Sequence, residues 1–84
     1  MDSYYETFLR KDIFPNNEYA DKICDICDQN PQEKAYIIRV LDWYIAGGSK
    51  YSTINMLKSV IGKVKRIEET HSYLDQEYQR ALAK

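Results

Sequence analysis

From about Ser49 to Ala83 no proline interrupts the chain, and apolar residues recur at helical intervals throughout. Roughly 33 residues at 1.5 Å each make a helix of about 50 Å. Over a third of the sequence is thereby committed to one rod, and the remainder must cover its apolar face. The early stripe is Ile54, Leu57, Ile61 and Val64. From Val60 onward, Val60, Val64, Ile67, His71, Leu74, Tyr78 and Ala81 keep a 4-3 alternation, the spacing of a heptad seam. Gly62 interrupts the rod at a cost of about 1 kcal/mol relative to Ala and permits a bend or a close backbone approach.

Three breaks divide what precedes it: Pro15, Asn30-Pro31 and Gly47-Gly48. A first helix is expected over about Ser3–Ile13. Ser3 and Glu6 have capping-box spacing, and Tyr5, Phe8, Leu9 and Ile13 recur at helical intervals. It must end by Phe14, because Pro15 disfavours helical geometry in the residue before it. A second helix is expected over about Asn17–Asp28, with Asn as N-cap and Ala20, Ile23, Cys24 and Cys27 as its apolar stripe. The third has the clearest start, with Asn30 as N-cap, Pro31 at the first helical position and Glu33 at the capping-box acid position. It runs through Ala46 to a glycine C-cap. Its polar residues Lys34, Arg39 and Asp42 fill only a narrow arc, so it is expected to be the central, most buried helix.

The fold class is therefore all-α: a small four-helix domain spanning 1–84, with two short N-terminal helices, a buried central helix and a long C-terminal helix. Helix 3, at 16 residues, covers only about 24 Å of the rod. Either helices 1 and 2 stack along the far end, or a second chain does, which gives a weak homodimer through helix 4. Among 84 residues 44% are apolar, which supplies a core of modest stability. The longest apolar runs, Ala35–Ile38 and Trp43–Ala46, are far short of the roughly 20 residues needed to cross a bilayer. The N-terminus lacks a basic region followed by an apolar stretch, so no membrane contact and a cytoplasmic location are expected.

Charge is segregated. Residues 1–49 carry nine acids against five bases, 50–67 carry five bases and no acid, and 68–84 carry four acids against two bases. The basic segment follows the glycine corner. A DNA-reading helix-turn-helix has a turn of three or four residues there, and the face between Lys50 and Arg66 offers cations to phosphates. The flanking helices are too long for the compact motif, and no arginine opens the new helix to read guanine. A plain helical hairpin is the expectation.

Nothing in the sequence makes an enzyme, and no cofactor or metal site is expected. "ICDIC" contains one C-x-x-C, but zinc needs further ligands and His71 is the only histidine. Asp21, Asp25 and Asp28 surround the pair and oppose thiolate formation, so two packing cysteines are expected. His71 is read as a partly buried residue setting helix register. The acidic face of helix 2 lacks the ligand alternation of a calcium loop and is expected to be solvated.

Trp43 ahead of the glycine corner, and Tyr73 four residues before Glu77, resemble the Trp-x-Gly corner and Tyr-x-x-x-acid tail of the small helical-hairpin substrates of type VII secretion. The Trp-to-Gly interval differs, and Pro15 and Pro31 break that family's long first helix, so the resemblance stops at two short features.

Eight tyrosines and one tryptophan give a small domain much amphipathic aromatic surface, the type enriched at interface hot spots. The expected role is a small intracellular protein–protein interaction module: an adaptor, inhibitor or regulator that binds another protein. Its contact residues are expected among Tyr4, Tyr5, Tyr51, Lys58, Lys63, Lys65, Arg66, Tyr73 and Tyr78. The alternative is a small DNA-binding transcriptional regulator using the Lys50–Arg66 face.

Overall fold

The structure, a computed structural model, describes residues 2–15 and 18–83. Four helices and no strand occur among them: α1 (Ser3–Phe8) continued by a π-helical turn (Leu9–Ile13), α2 (Glu18–Gln29), α3 (Pro31–Ile45) and α4 (Lys50–Ala83).

The N-cap of α1 is Asp2, one residue earlier than the Ser3 capping box. Its carboxylate accepts from the Tyr4 amide at 3.1 Å, and its carbonyl accepts from Glu6 N–H. Glu6 is thereby free to take Arg10 Nε at 2.8 Å instead of folding back on the cap. At the other end, Phe14 N–H donates to the Leu9 carbonyl across five residues, a wider turn than the α-helix has. That turn aims Leu9, Ile13 and Phe14 into the core, and Pro15 stops it.

The Asn17 cap of α2 lies outside the described residues. One residue, Asn30, joins α2 to α3. Asn30 occupies the N-cap position in extended geometry, but its side chain makes no capping bond. Pro31, at the first helical position, lacks an N–H that a helix start leaves unpaired in any case. Glu33 makes no capping box either, because its carboxylate accepts from Lys63 Nζ at 2.8 Å.

The corner after α3 is a Schellman motif. Ala46 is the C-cap, Gly47 has φ +113°, its N–H donates to Tyr44, and Gly48 N–H donates to Trp43. Ser49 then caps α4. Its hydroxyl accepts from Ser52 N–H at 3.2 Å, and its carbonyl accepts from both Thr53 N–H and the Thr53 hydroxyl. Those bonds let Thr53 be fully buried at no unpaired cost.

Glu33, near the start of α3, meets Lys63, well along α4, so α3 and α4 run antiparallel. Lys58 Nζ stands 5.2 Å over the Tyr19 ring, and Ile26 shares a groove with Ile61 and Val64, so α2 runs parallel to α4. The glycine corner therefore turns a plain hairpin. The first helix packs at the corner end of this three-helix head. Tyr5 OH donates to Asp42 at 2.9 Å, Tyr44 OH donates to Asp12, and Arg10 donates to Asp21 at 2.6 Å.

Helix 3 is buried in the core but is not the most buried helix. It buries Ile37, Val40 and Leu41, whereas α2 buries Ala20, Ile23, Cys24, Ile26 and Cys27. Tyr36 and Trp43 lie on its outer side, exposed. With one helix committed mostly to a projection, too few elements remain to surround another, so α2, α3 and α4 share the core. Leu9, Ile23, Ile37, Leu41 and Leu57 are fully buried at its centre. On α4 the buried positions are Thr53, Leu57 and Val60, with Ile54, Ile61 and Val64 half-buried against them.

Candidate interaction surface

Beyond Val64 every described residue of α4 is exposed. Helices 1 and 2 do not stack along its far end. The α2–α3 junction, at Gln29 and Asn30, sits beside Val64, Ile67, Glu68 and His71, and the rod continues alone from there. Residues 65–83 amount to about 28 Å of helix, which makes the molecule 57 Å long but only 23 Å across.

This projection carries the heptad seam uncovered. Ile67 is 45% exposed, Leu74 56%, Tyr78 63% and Leu82 64%. His71, expected to be partly buried, is exposed with them. At 100° per residue the stripe continues the face that Leu57, Val60 and Val64 present to the head. Where the head ends, a groove of about 420 Å³ opens between α2 and α4. Ile26, Ile61 and Val64 contribute its apolar lining, and Lys22, Asp25, Lys65 and Glu68 its charged rim.

The nine residues expected to make contacts do not converge. Tyr51, 76% exposed, lies in the first turn of α4. Tyr73 and Tyr78 are about 33 and 40 Å further along the rod, both exposed. Tyr4 is exposed on α1 and edge-stacked on Tyr5 and Phe8. Tyr5 is half-buried, and its hydrogen bond to Asp42 raises its pKa by stabilising the neutral phenol. Of the cations, Lys63 is held by the largely buried Glu33 carboxylate, Lys50 lies 3.7 Å from Asp12, and Lys58 sits over Tyr19. Lys65 and Arg66 are exposed at the start of the projection. Tyr78 alone of the nine lies on the seam.

Leu82 and Ile26 escaped the sequence reading. Leu82 stands one residue outside the strict 4-3 alternation, although it follows Tyr78 by one helical turn. Ile26 lies outside the stripe drawn through Ile23, Cys24 and Cys27, yet it is buried on the side of α2 that faces α4.

Cys24 and Cys27 are buried inside the head and form no disulfide. Burial pushes the Cys27 thiol up to about 11, with the charge of Cys24 next in effect. Burial also raises Cys24, and Glu6 adds to it. Desolvation thus opposes the thiolate more than the neighbouring acids do. Among the described residues no group of three or more His, Cys, Asp or Glu could hold a metal. On α2, Asp21 is paired with Arg10, and Glu18 is 3.9 Å from Lys22. No helix of the described residues is long and apolar enough to cross a membrane.

By fold this is a small all-α domain with a projecting, apolar-striped C-terminal helix. No protein-family model, curated protein or solved structure matches the chain.

Proposed function

We propose that this chain is a protein–protein interaction module, an intracellular adaptor, inhibitor or regulator, whose contact surface is the seam of α4 from Ile67 to Leu82. One observation carries the reading: a contiguous apolar stripe left in solvent on a helix that outruns its own domain. Scattered exposed apolar residues are ordinary, but a continuous stripe marks a surface built to be covered. An amphipathic helix offering side chains at i, i+3, i+4 and i+7 is a recurrent recognition element. A photoreactive phenylalanine analogue replacing Tyr78, irradiated in living cells, should form a discrete protein adduct. The same group replacing Glu69, on the opposite face of the helix, serves as the control. Equal labelling from both positions refutes the reading.

The exposed cations Lys58, Lys65 and Arg66 favour a second reading, duplex DNA laid along the basic stretch of α4. Contact with about three phosphates would weaken some 40-fold on a fourfold rise in salt. Titration of random duplex at two salt concentrations tests it, and binding indifferent to salt excludes it.

A further inference from the structure

We infer that the stripe is covered by a basic amphipathic helix of another protein, about three turns long, with lysines or arginines flanking its apolar face. This rests on reading the stripe as a protein-contact face, and it gives the chemistry of the partner.

The shape of the stripe selects a helix. Measured from Ile67 at 100° per residue, His71, Leu74, Tyr78, Ala81 and Leu82 fall within an arc of about 100°. Their 4-3 alternation keeps that arc straight along the rod, the form a second helix matches. An extended peptide finds no edge there, because the N–H and C=O groups of a helix are paired within it. The α2–α3 junction, at Gln29 and Asn30, already stands beside Ile67 and His71. The docked helix therefore stops at the junction and covers Leu74, Tyr78 and Leu82. From His71 to Leu82 this is about 12 residues, or roughly 18 Å.

The flanks select its charge. Between Ile67 and Leu82 lie four acids, Glu68, Glu69, Asp75 and Glu77, against one base, Arg80. Glu68 and Asp75 stand about 80–100° from the Ile67 line on one side, at positions that set partner choice in paired helices. Both are exposed, and among the described residues neither is in an ion pair. Glu77 borders the other side at about 80°, sharing its charge with Arg80 at 3.0 Å. A basic helix meets these carboxylates with opposite charge.

Other occupants fit less well. A second copy packed antiparallel opposes Glu68 with the partner's Asp75, acid against acid. Packed parallel, its head collides with the first, because the stripe continues the face on which the head sits. An anionic membrane surface is repelled by the same acids, since interfacial helices carry Lys and Arg on their polar face.

The contact is weak, and charge decides which helix makes it. At roughly 100 Å² each, Leu74, Tyr78 and Leu82 supply about 300 Å², well under the ~800 Å² per partner of a standard interface. Each exposed ion pair is worth roughly a factor of two to three, so three pairs give about tenfold, and salt screens them.

Two fluorescent helical peptides test this against the full chain. Both carry leucine at the seam positions, one with lysine on the flanks and the other with glutamate. The lysine peptide should bind about tenfold tighter at low salt, and the preference should nearly vanish at high salt. Leu74→Ala should weaken it about tenfold without loss of helix. Glu68→Gln combined with Asp75→Asn should remove most of the preference, whereas Glu69→Gln, behind the stripe, should leave it intact. Equal binding of the two peptides, or an equal effect of Glu69→Gln, overturns the proposal. So does sedimentation of the chain alone at twice 10.0 kDa in the micromolar range, which gives the stripe to a second copy. In cells, the segment crosslinked to the Tyr78 position should be a helix with lysines or arginines beside its apolar residues. An acidic segment there overturns the basic partner and preserves the contact face, and labelling no greater than at Glu69 overturns both.

Discussion

Gly47 and Gly48 are adjacent but required for different reasons, and substituting each with alanine separates them. A Cβ on Gly48 would lie 2.4, 2.6 and 2.7 Å from Cδ2, Cε3 and Cε2 of Trp43. The backbone of the Schellman corner holds Gly48 in place, so the indole must move. Trp43 is 46% exposed and can swing outward. The buried half of an indole is roughly 130 Å², worth at most about 3 kcal/mol at 25 cal/mol/Å². The displaced ring keeps some contact, and alanine stiffens the unfolded chain by about 0.5 kcal/mol. Gly48→Ala should therefore cost about 1–2.5 kcal/mol. Gly47→Ala meets nothing within 4 Å but places a side chain at φ +113°. Its cost is conformational, about 1–2 kcal/mol. Urea unfolding followed by circular dichroism gives both costs, and the emission of Trp43, the sole tryptophan, tells them apart. It should shift to the red in native Gly48→Ala and stay put in Gly47→Ala. A neutral Gly48→Ala with unchanged emission would refute the packing of the indole over the corner.

Leu41 is fully buried, and Leu41→Ala should cost about 2–5 kcal/mol by urea unfolding; a loss below about 1 kcal/mol contradicts its place in the core. Tyr5, Tyr44, Cys24 and Cys27 all have pKa values raised in the folded state, the tyrosines by their carboxylate partners and the cysteines by burial. Their neutral forms suit the fold, so stability is full below about pH 9 and falls as pH climbs through about 11; melting temperatures at pH 8, 9.5 and 11 check this, and a flat profile refutes it. With its thiol near 11, Cys27 of the native chain should react with a disulfide reagent at pH 8 about tenfold more slowly than a thiol of pKa 9, its lower thiolate fraction being partly offset by the greater nucleophilicity of a more basic thiolate, and urea should abolish the difference. A chelator should leave the helical signal and the melting temperature unchanged, whereas metal-dependent folding would assign the cysteines a ligand role.

The helices were legible because each boundary has a local cause. Pro15, Pro31 and Gly47 act on φ and on missing donors, and those effects need no tertiary partner. The rod was legible from its period. What the sequence does not carry is the choice among equivalent local solutions. Asp2 and Ser3 are both good caps, and the better partner for Glu6 turned out to be Arg10, whose other partner Asp21 is on α2. Glu33 suited a capping box but met Lys63 across thirty residues. Apolar content likewise misplaced the centre of the fold. The narrow polar arc of Lys34, Arg39 and Asp42 left Tyr36 and Trp43 on the apolar side of α3, yet the shared three-helix head has no fourth element to cover them. The tyrosines as a set made no surface, because Tyr51 and Tyr78 stand at opposite ends of one rod. The seam, by contrast, lies along a single face of a single helix, where spacing alone determines neighbours.

A 19-residue helix carrying exposed leucines would be marginal as a peptide, because nucleation is the unfavourable step. In this chain the head removes that step. Leu57 and Val60 are buried against α2 and α3, so the first half of α4 is already helical when the second half forms. Each further residue then adds one hydrogen bond to an existing helix, and Thr70 adds a side-chain bond to the Arg66 carbonyl at 2.9 Å. The head and the projection thus have separable duties. The head holds the helix nucleated, and the projection holds an ordered apolar stripe in solvent, so a partner meets a preformed helix and spends little of its binding energy on ordering it. Damage to the head, as in Leu41→Ala, should weaken partner binding through loss of the helix. Damage to the stripe, as in Leu74→Ala, should weaken binding directly while the head melts as before.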